Sequence, residues 1–139
     1  MPKRPPPPPA ERQTRQRDAI LEVLRAAERP LSPQEIVEHA KRTSQAVGIA
    51  TVYRNLKRLV SDGTLQAVNL AGAPPRYEFA AIAHHHHFQC TACERVFDIP
   101  GCPGALSRLA PRGFSVAHHD LTLYGHCADC SRTPARSAR

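Results

Sequence analysis

The chain has 139 residues, 41% of them hydrophobic and 5% aromatic, and a formal charge of +7 at pH 7. That length holds one medium domain or two small ones, and so few aromatic residues fill only modest cores, so two small domains that lean on metal and on a partner chain fit best. No run of about 18 apolar residues exists and no charged-then-apolar leader precedes the first helical pattern, which argues against a membrane-spanning or secreted protein and for a cytoplasmic one.

Residues 1–83 hold 13 Lys/Arg against 8 Asp/Glu, whereas residues 84–139 hold 6 against 4. The basic excess of the N-terminal half points to a polyanion partner there, or else to a solvated basic surface.

Residues 1–10, with Pro5 to Pro9 unbroken, lack backbone donors and apolar side chains and read as an extended, disordered arm. Lys3 and Arg4 within it are either phosphate contacts or part of a solubilising tail. From Thr14, a plausible N-cap, Ile20, Leu21, Leu24 and Ala27 recur at helical spacing. Ser32 followed by Pro33 and Glu35 reads as a capped second helix with Ile36, Val37 and Ala40 on its apolar face. A third helix, residues 49–61, puts Val52, Leu56, Leu59 and Val60 inward and leaves Thr51, Tyr53, Arg54, Asn55, Lys57 and Arg58 largely outward. Residues 65–70 and 76–79, joined by a Gly/Pro turn, read as a two-stranded wing.

Three short helices and a hairpin make a winged helix-turn-helix, whose last helix enters the major groove of DNA. The six outward residues of the third helix are of the types that contact phosphates and base edges. A solvated charged face has the same composition.

Residues 81–83 form a short hinge, and residues 84–130 a second domain. His84-His85-His86-His87-Phe88-Gln89-Cys90-Thr91-Ala92-Cys93 packs four imidazoles and two thiols into ten residues. A second C-x-x-C pair, Cys127 and Cys130, lies near the C-terminus. Zinc takes four N/S ligands in a tetrahedron, so the two pairs read as one closed structural zinc site rather than as disulfides or buried free thiols. Strands are expected at residues 84–89 and 96–99 around the first knuckle, a short helix at 106–110, and strand alternation again at 114–116 and 120–124. An exposed edge in so small a sheet is a hazard that a dimer would cover. Strand alternation also sends His85 and His87 to one face and His84 and His86 to the other, so one run feeds two metal sites. Residues 131–139 read as a disordered tail. The whole is an α+β chain: an N-terminal winged helix-turn-helix domain, residues 11–80, and a small α/β dimerisation domain holding the four-cysteine site.

Four motifs in order resemble the Fur family of metal-responsive bacterial repressors, over about residues 14–130. They are Arg15-Gln16-Arg17-Asp18-Ala19-Ile20-Leu21, Ala50-Thr51-Val52-Tyr53-Arg54-Asn55-Leu56, the His84 to Cys93 run, and Leu123-Tyr124-Gly125-His126-Cys127-Ala128-Asp129-Cys130. The resemblance implies a homodimer with a winged-helix DNA domain, a structural zinc and at least one sensing metal (zinc, iron or manganese). It further implies that the metal-loaded dimer binds palindromic operators and represses uptake or stress genes. By the same resemblance Glu78, His85, His87 and Asp98 match the sensing ligands between the two domains, and His84, His86 and His119 match a further site inside the dimerisation domain.

The chain departs from the family in three places. The stretch Arg29-Pro30-Leu31-Ser32 lacks the sensing histidine often found before the second helix, and Ala80 stands where zinc sensors often carry a cysteine. Cys102 stands near the place of a carboxylate ligand of the further site, and is either a ligand that favours zinc over iron or manganese or a small core residue. His39, His118 and His126 are assigned to surface or structural roles. Two rival readings remain: a zinc hydrolase with Asp98 or Asp120 as general base, for which the basic helix has no use, and a zinc-buffering or protein-interaction module.

Overall fold

A computed structural model of the chain describes residues 6–43 and 45–132, so most of the expected arm and tail lies outside the described residues. The chain divides into two compact units, Met1–Ala81 and Ile82–Arg139. Among the described residues no helix is long and apolar enough to cross a membrane.

The first unit holds helices α1 (Pro9–Ala27), α2 (Pro33–Arg42) and α3 (Ile49–Ser61), then strands β1 (Leu65–Val68) and β2 (Arg76–Phe79). Helix α1 starts inside the segment read as an extended arm. Proline suits a first helical position, where its missing N–H would go unbonded in any case. Thr14 is therefore mid-helix rather than an N-cap, and its hydroxyl donates back to the Ala10 carbonyl at 3.1 Å. Helix α2 begins with the reciprocal cap expected from its sequence. The Glu35 N–H donates to Ser32 Oγ and the Ser32 N–H to Glu35 Oε1, each at 3.2 Å. Arg29 donates to the other Glu35 oxygen at 2.5 Å, which fixes the carboxylate.

Helix α3 buries Val52, Leu56 and Leu59, but Val60 is 37% exposed. Eight residues on from Val52, Val60 is rotated about 80° around the helix, at the margin of the buried stripe. Gly63, at φ 81°, ends the helix, and the Thr64 N–H reaches back to the Leu59 carbonyl at 2.9 Å, an arrangement that a left-handed residue at the helix end makes possible. The buried stripes of α1 (Ala19, Ile20, Val23, Leu24), α2 (Ile36, Ala40) and α3 meet Leu31, Val47 and Leu65 in one core. The wing pairs Leu65 with Phe79 through Val68 with Arg76, antiparallel, and Leu31 exchanges two backbone hydrogen bonds with Tyr77 that tie the wing to the start of α2.

The second unit is a three-stranded sheet of order β4-β3-β5, with β3 (His85–Cys90) antiparallel to β4 (Val96–Pro100) and parallel to β5 (Thr122–Gly125). A 3-10 turn (Leu106–Leu109) and a short helix α4 (Ala128–Arg132) complete the described part. The expected strand at 114–116 is irregular backbone, and Phe114 is 72% exposed. Among the described residues no strand pairs with it, so the alternation there has no hydrogen-bond ladder to stabilise it. Gly125 lets β5 pass β3 closely: a Cβ there would lie 3.2 Å from the Phe88 ring. Only His86, Cys90, Val96 and Cys127 are buried among the described residues of this unit, whereas Leu109, Phe114, Val116, Leu123 and Tyr124 are exposed.

Candidate metal centres and nucleic-acid interface

Cys90 closes β3, Cys93 sits in the turn to β4, Cys127 follows β5 and Cys130 lies in α4, so the parallel β3–β5 pairing brings the two C-x-x-C pairs together. The backbone N–H groups of Cys93 and Cys127 donate to Cys90 Sγ at 3.5 and 3.4 Å. Those bonds, the Cys127 one first, bring the Cys90 thiol down to about 5. Cys130 is instead pushed up to about 12, chiefly because its S–H is shared with the Cys127 and Cys90 sulfurs. Thiolates gathered this closely repel one another, so a cation among them would stabilise the deprotonated set. Cys93 Sγ and Cys127 Sγ are 3.9 Å apart, against about 3.8 Å for the edge of a tetrahedron with metal–sulfur bonds of 2.3 Å. The donor set therefore fits a divalent ion, and four sulfurs leave no open position for chemistry.

His85 and His87 lie on one side of β3 with ring centroids 4.8 Å apart, and Asp98, on the neighbouring strand directly opposite His87, places Oδ1 3.4 Å from Nε2 of each ring. The Ala83 carbonyl accepts from His85 Nδ1 at 2.7 Å, which orients that ring with Nε2 on the Asp98 side, the arrangement metal-ligating histidines use. Glu78 lies on β2 in the first unit, where its Oε1 accepts from Gln66 Nε2 at 2.9 Å.

On the other side of the strand, His84 Nε2 is 3.4 Å from His119 Nε2, and Cys102 Sγ is 3.1 Å from the same His119 nitrogen. Cys102 is exposed, so it is not the core residue that one reading of the sequence allowed. His86 is 1% exposed, edge-on to His84 at 4.7 Å and stacked on His119 at 5.1 Å. The Leu121 N–H donates to its Nδ1 at 3.2 Å, which assigns the proton of the neutral ring to Nε2, and Nε2 has no hydrogen-bond partner among the described residues. Burial first, and the neighbouring His84 and His119 second, hold the His86 imidazole below its usual range and so keep it neutral.

In the first unit the outward side of α3 exposes Tyr53, Arg54, Lys57 and Arg58, while Thr51 and Asn55 are half-buried. Thr51 organises its neighbours: its hydroxyl accepts from Arg54 at 3.1 Å and its carbonyl from Asn55 at 2.9 Å. The sequence reading missed Arg12, Gln13 and Gln16 of α1, which line a groove of about 340 Å³ with Thr51, Arg54, Asn55 and Arg58. Their i, i+1, i+4 spacing puts them on the polar side of α1, a signal that the apolar periodicity of the helix masks.

The Ferric uptake regulator family model matches residues 10–124. The ferric uptake regulation protein of Campylobacter jejuni is 30% identical over 128 residues, covering 88% of this chain and 82% of that protein. The zinc uptake regulation protein of Mycobacterium tuberculosis is 30% identical over 122 residues, covering 86% and 94%. The solved structure of the ferric uptake regulator of Helicobacter pylori superposes with a TM-score of 0.66 at 25% identity, covering 86% of this chain and 82% of that one.

Proposed function

We propose that this chain, which belongs to the ferric uptake regulator family, is a metal-responsive repressor that binds duplex DNA as a homodimer in the cytoplasm. Members of the family are transcription regulators and not enzymes, so the hydrolase reading falls away. One observation carries the proposal further than family membership does: a single strand, β3, supplies donors to three separate clusters, each able to hold one ion. The Helicobacter pylori protein, for comparison, is described as having three functional metal binding sites.

Cys90, Cys93, Cys127 and Cys130 hold a structural zinc, supported by the convergence of the four sulfurs and by the Cys93–Cys127 separation, close to a tetrahedral edge. His85, His87 and Asp98, with Glu78 supplied by family resemblance, form the sensing set for zinc, iron or manganese. A divalent cation supplies there the charge that lets carboxylates and imidazoles share one centre. His84, His86, Cys102 and His119 form a further metal site. The second unit buries few of its own residues and leaves Leu123 and Tyr124 exposed on the edge strand β5, which supports dimerisation along that edge. The α3 face, with Thr51, Tyr53, Arg54, Asn55, Lys57 and Arg58, reads a palindromic operator, each half taken by one protomer.

The test is fluorescence anisotropy on promoter DNA with protein stripped of exchangeable metal, then titrated with zinc, manganese and ferrous iron. Tighter binding with at least one metal is expected. Equal affinity with and without metal would refute the regulatory reading.

A further inference from the structure

The cluster formed by His84, His86, Cys102 and His119 lies wholly within the second unit, and its donors differ in kind from those of His85, His87 and Asp98. His84 Nε2, His119 Nε2 and Cys102 Sγ converge with separations of 3.4 and 3.1 Å. The N–N distance equals the edge of about 3.4 Å expected for a tetrahedron with metal–nitrogen bonds near 2.05 Å. An independent observation is the buried Nε2 of His86, which has no hydrogen-bond partner among the described residues although its ring packs against both His84 and His119. A native fold rarely keeps a buried polar atom in that state, and a shift of the ring proton to Nδ1 would open its lone pair to an ion. Coordination through that Nε2 would move the ring proton to Nδ1 and give up the Leu121 bond, so His84, Cys102 and His119 are the ligands ready as they stand.

We propose that Cys102, as a thiolate ligand, makes this cluster selective for zinc-class divalent ions over manganese and ferrous iron. The inference rests on the reading of the cluster as a metal site given above. Thiolate and imidazole donors suit zinc and cobalt, whereas manganese and ferrous iron gain more from carboxylate and water oxygens, and the intrinsic order of affinity runs the same way. His85, His87 and Asp98 hold no sulfur and do not discriminate in this manner. Among the four, Cys102 alone becomes an anionic ligand, because metal binding releases its thiol proton. It is exposed, in a turn where Gly101 and Gly104 adopt φ of 94° and 65°, so an ion reaches the sulfur from solvent without the fold opening.

The test uses the full chain with its four-cysteine zinc in place and both His85 and His87 changed to Ala, titrated with cobalt(II). One further equivalent is expected, with tetrahedral visible bands and a near-ultraviolet sulfur-to-cobalt charge-transfer band. Cys102→Ser should lose that band and lower the zinc-to-manganese affinity ratio by more than the roughly 10–100-fold that loss of an outer-shell partner costs. Cys102→Asp should restore manganese binding relative to zinc. The Cys102→Ser difference spectrum, repeated with His85 and His87 intact, guards against a folding defect of the double variant. Cobalt binding without the charge-transfer band, or an unchanged zinc-to-manganese ratio in Cys102→Ser, would overturn the role of Cys102 while leaving the cluster a metal site. Absence of any further equivalent in either background would overturn the cluster reading, and this proposal with it.

Discussion

Arg95 Nε lies 3.2 Å from Cys93 Sγ, and the same guanidinium reaches Cys127 Sγ at 3.6 Å and Asp129 Oδ2 at 3.1 Å. One cation thus spans both cysteine pairs. A divalent ion with four thiolates carries a net charge of about −2, and Arg95 offsets part of it in a part-exposed position, while Asp129, also bound by Arg132, holds the guanidinium in place.

Arg95→Ala should therefore hasten zinc loss to a colorimetric chelator by roughly tenfold or more, the scale seen for outer-shell partners. Exposed ion pairs add little to folding, so the melting temperature of the zinc-loaded protein should hardly move. A chelation rate equal to that of the unaltered chain would show that the guanidinium does not act on the metal centre.

Cys93→Ser or Cys127→Ser should lose the structural zinc and, with it, the dimer. Four buried side chains form too small a core to replace a metal site that contributes on the order of 10 kcal/mol in small zinc domains. Metal content and size-exclusion elution check this together; a zinc-free variant that stayed dimeric and folded would contradict it.

Arg58→Ala should weaken operator binding and lower the salt slope by about 1, because each phosphate contact releases about one counterion. Arg58 also lines the groove shared with α1, so Arg12→Ala should act in the same direction. Anisotropy titrations at several salt concentrations give both slopes, and unchanged slopes would remove these residues from the interface.

His85→Ala and His87→Ala should keep the structural zinc yet abolish metal-dependent tightening on DNA, since their Nε2 atoms converge on Asp98 and lie apart from the sulfur cluster. His84→Ala should alter metal sensitivity more than the on/off response. A metal shifts an equilibrium only by its differential affinity for the two states, so equal loss of response from both sides of the strand would mean that the two sets act as one site.

Ser32→Ala removes one half of the α2 cap and leaves the Glu35 N–H without its acceptor. Stability should fall by about 1 kcal/mol, read as a lowered urea midpoint at unchanged slope. No shift would mean that water replaces the hydroxyl at no cost.

What the sequence determined by itself is what short-range chemistry dictates. The α2 cap joins residues three apart, the burial of Val52, Leu56 and Leu59 follows from a 3.6-residue period, and the separation of His85 and His87 from His84 and His86 follows from a period of two. The C-x-x-C spacing declared a four-sulfur site before any fold was known, because dipeptide spacers make two sulfurs converge whatever surrounds them. Tertiary structure alone decided the rest. Only the parallel register of β3 and β5 sets Arg95 beside Asp129, and only the loops between β4 and β5 carry Cys102 to His119, 17 residues further on. The irregular backbone at 114–116, expected as a strand, and the start of α1 at Pro9, inside the expected arm, depart from the sequence reading for the same reason. Alternation without a neighbouring strand and proline without a following helical turn have no conformation of their own, and it is the hydrogen bonds made by the surrounding chain that choose one.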